Sequence, residues 1–164
     1  MNNGKILAIG TVCTAIVAFV LFGTDLMTPE QEVNVTPVLA AADVIVYKSP
    51  TCGCCTEWAK HMEENDFTVD ERPTNDMYDV KARAGITPEL SSCHTAFVDG
   101  YVVEGHVPAK DIERLLADRP EAVGLTVPAM PVGSPGMEVE GVEADSYDVL
   151  LINKDGSTSI WASY

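Results

Sequence analysis

Val44-Ile45-Val46-Tyr47-Lys48-Ser49-Pro50-Thr51-Cys52-Gly53-Cys54-Cys55-Thr56-Glu57-Trp58 is the stretch whose reading decides the fold. Its first four residues form an unbroken apolar, mostly β-branched run, the pattern of a strand buried on both faces. Beyond Pro50 helix formers take over: Glu57, Ala59, Lys60, Met62 and Glu63 carry a helix to Glu64. Cys55, Trp58 and Met62 are spaced at i, i+3 and i+7 on one face of it. Three cysteines therefore sit at a strand-to-helix turn.

Downstream, Phe67-Thr68-Val69-Asp70 alternates as a second strand, and Thr74 to Ala84 reads as a helix with Met77, Val80 and Ala84 inward and Gly85 as its stop. Thr95–Val98 and Tyr101–Val103 flank Asp99-Gly100, a type I′ hairpin signal. After Gly105-His106-Val107, Pro108 opens a helix at its first position, with Ile112, Leu115 and Leu116 as its stripe and Pro120 past its end. The order β-α-β-α-β-β-α, with cysteines opening the first helix, is that of an α/β fold of the thioredoxin/glutaredoxin class, a mixed sheet flanked by helices. A Pro/Gly-rich loop with two methionines, Val127 to Glu138, and a last hairpin, Tyr147–Ile152 and Thr158–Trp161, extend that core at its C-terminal end.

Towards the N-terminus the reading changes character. Ile6 to Gly23 holds 18 residues without a charged side chain behind Lys5, just enough for a helix to cross a bilayer. Residues 1–23 read as a transmembrane anchor or an export signal; the small residues Ala40-Ala41-Ala42 lie far downstream of a usual cleavage site, which favours an uncleaved anchor in an inner membrane, with Cys13 as one small apolar residue within it. Residues 24–42 read as a linker and residues 43–164 as the folded domain, placed in the periplasm. From Asp43 onward the chain carries 22 acidic and 9 basic residues, a balance that argues against nucleic acid or an anionic membrane surface as partner.

A helix N-terminus carries unpaired N–H groups and a partial positive charge that favour a thiolate, so Cys52 gains most from its place. Cys52 and Cys55, one helical turn apart, can form a disulfide or chelate an ion, while Cys54 points about 100° away and adds a thiol that a redox motif does not need. Cys93-His94 precedes the third strand, where a thioredoxin-class chain places a cis-proline loop facing the cysteine turn. If that alignment holds, both meet the cluster; the absence of a proline there weakens an ordinary oxidoreductase reading. Thiolates and thioethers select Cu(I), whereas zinc rarely takes methionine, so Met130 and Met137 on the proline-stiffened loop point to copper. His106 is as compatible with a capping or core role as with metal. His61 reads as a solvated helix-face residue, and Trp58 as packing behind the cysteines.

The segments TCGCCTEW, SSCHTAFVDGYVVEGHVPAKDIERLL and VPAMPVGSPGMEVEG together resemble the CopG-like family of periplasmic copper-resistance proteins, over about Val44 to Tyr164. The resemblance implies a thioredoxin-like fold that binds copper as Cu(I), with room for several ions in a thiolate-bridged cluster. It carries the metal to Cys52, Cys54, Cys55 and Cys93, with His94, His106, Met130 and Met137 as further contributors. One departure is Ala129, where the family pattern reads glycine. Copper sequestration or handling, with other periplasmic copper-handling proteins as partners, is the leading expectation and needs no turnover. A thiol-disulfide oxidoreductase using Cys52 and Cys55 would leave Cys54, Cys93 and both methionines dispensable. A copper-dependent redox enzyme is a third reading. An iron–sulfur site leaves the methionines unexplained, and two structural disulfides would be awkward with three cysteines so crowded.

Overall fold

The computed structural model describes residues 43–164; the anchor and linker expected over residues 1–42 lie outside the described residues. β1 (Val44–Lys48) forms where the apolar run predicts it, and α1 (Gly53–Glu64) follows the cysteine turn with Cys52 as its N-cap. Then come β2 (Val69–Pro73), α2 (Met77–Ala84), a short 3-10 turn (Pro88–Leu90), β3 (His94–Val98), β4 (Tyr101–Glu104), α3 (Ala109–Asp118), β5 (Ala122–Thr126), β6 (Asp148–Asn153) and β7 (Thr158–Ser163). All seven strands join one mixed sheet in the order β2-β1-β3-β4-β5-β6-β7. The pairs β1/β2 and β4/β5 are parallel, each bridged by a helix, and the rest are antiparallel. Among the described residues no helix is long and apolar enough to cross a membrane.

Strand alternation sends one set of side chains to each face. Val44, Val46, Ala96, Val98, Val103 and Leu125 face α1 and α3, which cover them with Trp58, Met62, Ile112 and Leu115, all fully buried or nearly so. Val102, Ile152 and Phe97 lie on the other face with Ala84 and Ile86, so Ile45 and Tyr47 on that side are only half-buried and β1 is fully covered on one face alone. Asp99 and Gly100 take positive φ angles of 45° and 87°, as the expected type I′ turn requires.

Several boundaries differ from the sequence reading. Thr74 does not open α2: its N–H donates to Lys48 O at 2.8 Å, continuing the sheet, and its hydroxyl accepts the Asp76 N–H at 3.0 Å, turning the chain before the helix starts at Met77. β2 starts later than Phe67, whose ring packs on the core instead. Pro108 is the N-cap of α3 rather than its first residue, because the first free N–H, that of Ala109, donates to His61 Nε2 at 3.1 Å. His61 is therefore a cap between two helices and not a solvated face residue. β5 was not anticipated, and it makes the C-terminal hairpin β6–β7 part of the main sheet.

This topology decides where chemistry can gather. β3 runs antiparallel to β1, so His94 at its start pairs with Lys48 at the end of β1. β4 returns antiparallel to β3 and ends at Glu104, opposite Thr95, and β5 ends beside it with Thr126 against Glu104. The cysteine turn, Cys93, His106 and the methionine loop thus all leave the sheet at one end.

Candidate metal centre

Cys52 caps α1 in an extended conformation without a side-chain capping bond, its sulfur being joined in a disulfide to Cys55, the first buried residue of the helix. Cys54 and Cys93 are free thiols. Cys54 Sγ lies 3.6 Å from Cys52 Sγ and 3.9 Å from Cys93 Sγ. The four sulfurs all lie within 4.8 Å of one another. A second group shares a member with the first: Cys93 Sγ, His94 and His106 offer ligand atoms within the same mutual distance.

Cys93 Sγ is the hinge of this arrangement, 2.9 Å from His106 Nε2 and 3.4 Å from His94 Nδ1. His106 Nδ1 faces the Pro135 carbonyl at 2.7 Å. A carbonyl can only accept, so Nδ1 carries the proton and Nε2 presents its lone pair towards Cys93, the tautomer that a metal-binding imidazole needs. Burial pushes the Cys93 thiol up to about 12, and the adjacent Cys54 adds to the shift. Metal-free Cys93 is therefore protonated at neutral pH, and a bound cation must displace that proton.

His94 is wholly buried. Its ring lies 4.4 Å from that of Trp58 and 5.1 Å from that of His106. Burial holds its pKa well below the ordinary histidine value, and the charges of His106, Lys81 and Lys48 act in the same direction. Its Nε2 has no hydrogen-bond partner, which leaves the nitrogen that does not face Cys93 unsatisfied in a buried ring. Trp58 donates its Nε1–H to Val107 O at 2.9 Å, tying α1 to the segment that carries His106. His106 has its own pKa lowered by burial.

The loop between β5 and β6 closes over α1. Gly136 takes φ +82°, and a Cβ there would lie 2.7 Å from Trp58 N and 2.8 Å from Cys54 O, so only glycine lets the loop reach the first turn of the helix. Met137, its half-buried neighbour, closes the turn through its N–H to Ser134 O at 2.7 Å. Met130 is 49% exposed and lines a cavity of about 240 Å³ with Ser91, Ser92, Cys93 and Ala129. The structure thus gathers Cys52, Cys54, Cys55, Cys93, His94 and His106 at one point, seats Met137 in the covering loop, and leaves Met130 at its outer rim.

Sequence reading passed over two contributors and misplaced a third. Pro135 acts only through its carbonyl, which no side-chain pattern reveals, and Glu104 gave one signal, a lone acid ending the buried run Tyr101-Val102-Val103. His61, read as a solvated face residue, acts through a cap formed at a sequence distance of 48 residues.

A family model described as "Protein of unknown function, DUF411" matches residues 90–137, the span from Leu90 through β3, β4, α3 and β5 to Met137. Two solved structures titled copper resistance protein CopG, form 1 and form 2, each align at 46% identity and a TM-score of 0.70, covering 74% of this chain and 95% and 96% of theirs. The chain belongs to the CopG family. The described residues have a mixed α/β fold built on a seven-stranded sheet with three helices. No curated protein gives a match. Membership of a copper-resistance family, together with a partly buried cysteine and histidine cluster, gives this CopG-family chain a copper-related role.

Proposed function

We propose that this chain is a periplasmic copper-handling protein, tethered by its N-terminal segment, that holds Cu(I) on a thioredoxin-like domain. The observation that carries the reading is the sharing of Cys93: one sulfur belongs both to the four-cysteine group and to the Cys93–His94–His106 group. Bridging sulfurs of this kind suit more than one soft monovalent ion, and the buried side of the group, where Cys55, His94 and His106 lie beside Trp58, limits the access of water there. Met137 and Met130 would add thioether donors from the loop. Copper supplies the soft acid; the chain supplies the sulfurs and fixes the His106 tautomer.

The Cys52–Cys55 disulfide sets a condition on this reading. Two of the four sulfurs become thiolate donors only after an external two-electron reductant, such as a dithiol that is itself oxidised to a disulfide, breaks the S–S bond; the two thiolates formed then either take up two protons or bind metal directly. The same disulfide, with Cys54 Sγ 3.6 Å from Cys52 Sγ, supports a second reading as a thiol-disulfide or copper redox protein. Copper analysis of the full chain, reduced and handled without oxygen, separates them. The expected result is more than one Cu(I) per chain, most of it lost in Cys54→Ser and in the oxidised form. Turnover of a model disulfide by metal-free protein, undiminished in Cys54→Ser and with no copper retained, would replace the first reading by the second.

A further inference from the structure

Glu104, the last residue of β4, has no exposed surface. Its Oε1 accepts the Ser92 backbone N–H at 2.6 Å and pairs with the Lys81 ammonium, while its Oε2 accepts the Thr95 hydroxyl at 2.7 Å. Lys81 Nζ also donates to the Thr95 hydroxyl oxygen at 3.2 Å, closing a three-membered network. Ser92 and Thr95 are the residues on either side of Cys93-His94. One carboxylate therefore grips both flanks of the dipeptide that delivers a sulfur and a ring to the cluster.

Burying a carboxylate is costly, and a buried ion pair is a poor source of stability compared with apolar side chains of the same volume. What such a pair supplies well is a fixed geometry, because each lone pair and each proton accepts only one arrangement of partners. At this point in the fold the geometry fixed is that of Cys93, whose sulfur must face Cys54, His94 and His106 together. Lys81 enters from α2, on the sheet face opposite α1, so the grip comes from behind the centre and leaves its mouth free.

We propose that Glu104, neutralised by Lys81, is the positioning residue of the metal centre: it sets Cu(I) affinity through Ser92 and Thr95 without touching the ion. The proposal rests on Cys93 being a ligand. Outer partners that orient metal ligands are commonly worth 10- to 100-fold in affinity, and Glu104 is expected to fall in about that range.

The test compares Cu(I) affinity, by competition with a chromophoric chelator, in the reduced full chain and four variants. Glu104→Gln keeps the side-chain shape but loses the charge and one acceptor. Thr95→Val removes one arm of the grip with little change of volume, and covers the case in which Glu104→Gln fails to fold. Leu115→Ala is a core control in α3, and Cys93→Ser tests the underlying reading. Glu104→Gln should weaken Cu(I) binding by about 10- to 100-fold and Thr95→Val by about 10-fold. Both should also speed alkylation of Cys93 in metal-free protein, while Leu115→Ala, though destabilised, keeps the affinity of the parent. Parent affinity in Glu104→Gln and Thr95→Val, with Cys93→Ser impaired, overturns the positioning role and leaves the proposed function standing. Equal weakening in Leu115→Ala reduces Glu104 to a stability residue and also overturns it. Parent affinity in Cys93→Ser takes Cys93 out of the ligand set and overturns the positioning role with it, whereas absence of Cu(I) binding in the parent chain would end the copper reading itself.

Discussion

Replacing Gly136 by alanine should detach the covering loop from the metal centre. At φ +82° an L-residue costs roughly 1–2 kcal/mol by its left-handed backbone alone. The new Cβ would meet Trp58 N at 2.7 Å and Cys54 O at 2.8 Å, backbone atoms of a helix that cannot yield as a flexible side chain would. The loop must therefore retreat, taking with it the Pro135 carbonyl that orients His106. A buried hydrogen bond lost in this way costs about 1–3 kcal/mol, so the total is roughly 2–5 kcal/mol. Gly141→Ala is the matched control, with φ +77° but nothing within 4 Å of its Cβ, and should lose only the backbone cost. Denaturant unfolding of the reduced full chain gives both losses, and Cu(I) competition should show weakened binding in Gly136→Ala alone. Equal losses in the two variants, with copper affinity untouched, would refute the contact between loop and helix as a support of the centre.

Ala129 sits at φ +60°, a left-handed conformation that glycine adopts without the Cβ penalty. Ala129→Gly should relieve about 1–2 kcal/mol of strain against about 0.4–1 kcal/mol of added unfolded-state entropy; a small rise in unfolding midpoint checks this, and a fall contradicts it. The three histidines give an acid-sensitive fold: burial lowers His61, His94 and His106, so the unfolded chain binds more protons than the native one below about pH 6.5. Their stabilising contribution is complete above that pH and falls, by about 1.4 kcal/mol per pH unit for each group, as pH drops towards the native pKa values. His61→Asn keeps a capping oxygen for Ala109 but removes one such group; unfolding at pH 7.5, 6.5 and 5.5 should show a shallower acid slope in the variant, and an identical slope would contradict the assignment.

Much of the site was legible because its signals are local. The run Val44–Tyr47, the helix formers after Pro50 and the Asp99-Gly100 turn each decide their own conformation, and the order of elements then brings the start of β3 to the end of β1. β5 hid because Gly124 interrupts its apolar pattern. A Cβ at that position would lie 1.7 Å from Val102 O, so the glycine is there for close approach to β4 and its strand carries no unbroken apolar run. The Cys52–Cys55 pairing was one of two open possibilities, since spacing permits both a disulfide and a chelate. What could not be read at all were contacts made between distant backbone groups: the Pro135 carbonyl on His106, the Ala109 N–H on His61 and the Ser92 N–H on Glu104. None of these leaves a mark in residue type on both partners.

X-ray absorption at the copper edge, on the reduced full chain loaded with Cu(I), addresses the convergence of sulfurs most directly. The expected spectrum is that of monovalent copper in a first shell dominated by sulfur, with a copper neighbour in the second shell and the sulfur signal diminished in Cys93→Ser. A first shell of nitrogen and oxygen alone, or one that Cys93→Ser leaves unaltered, would contradict it.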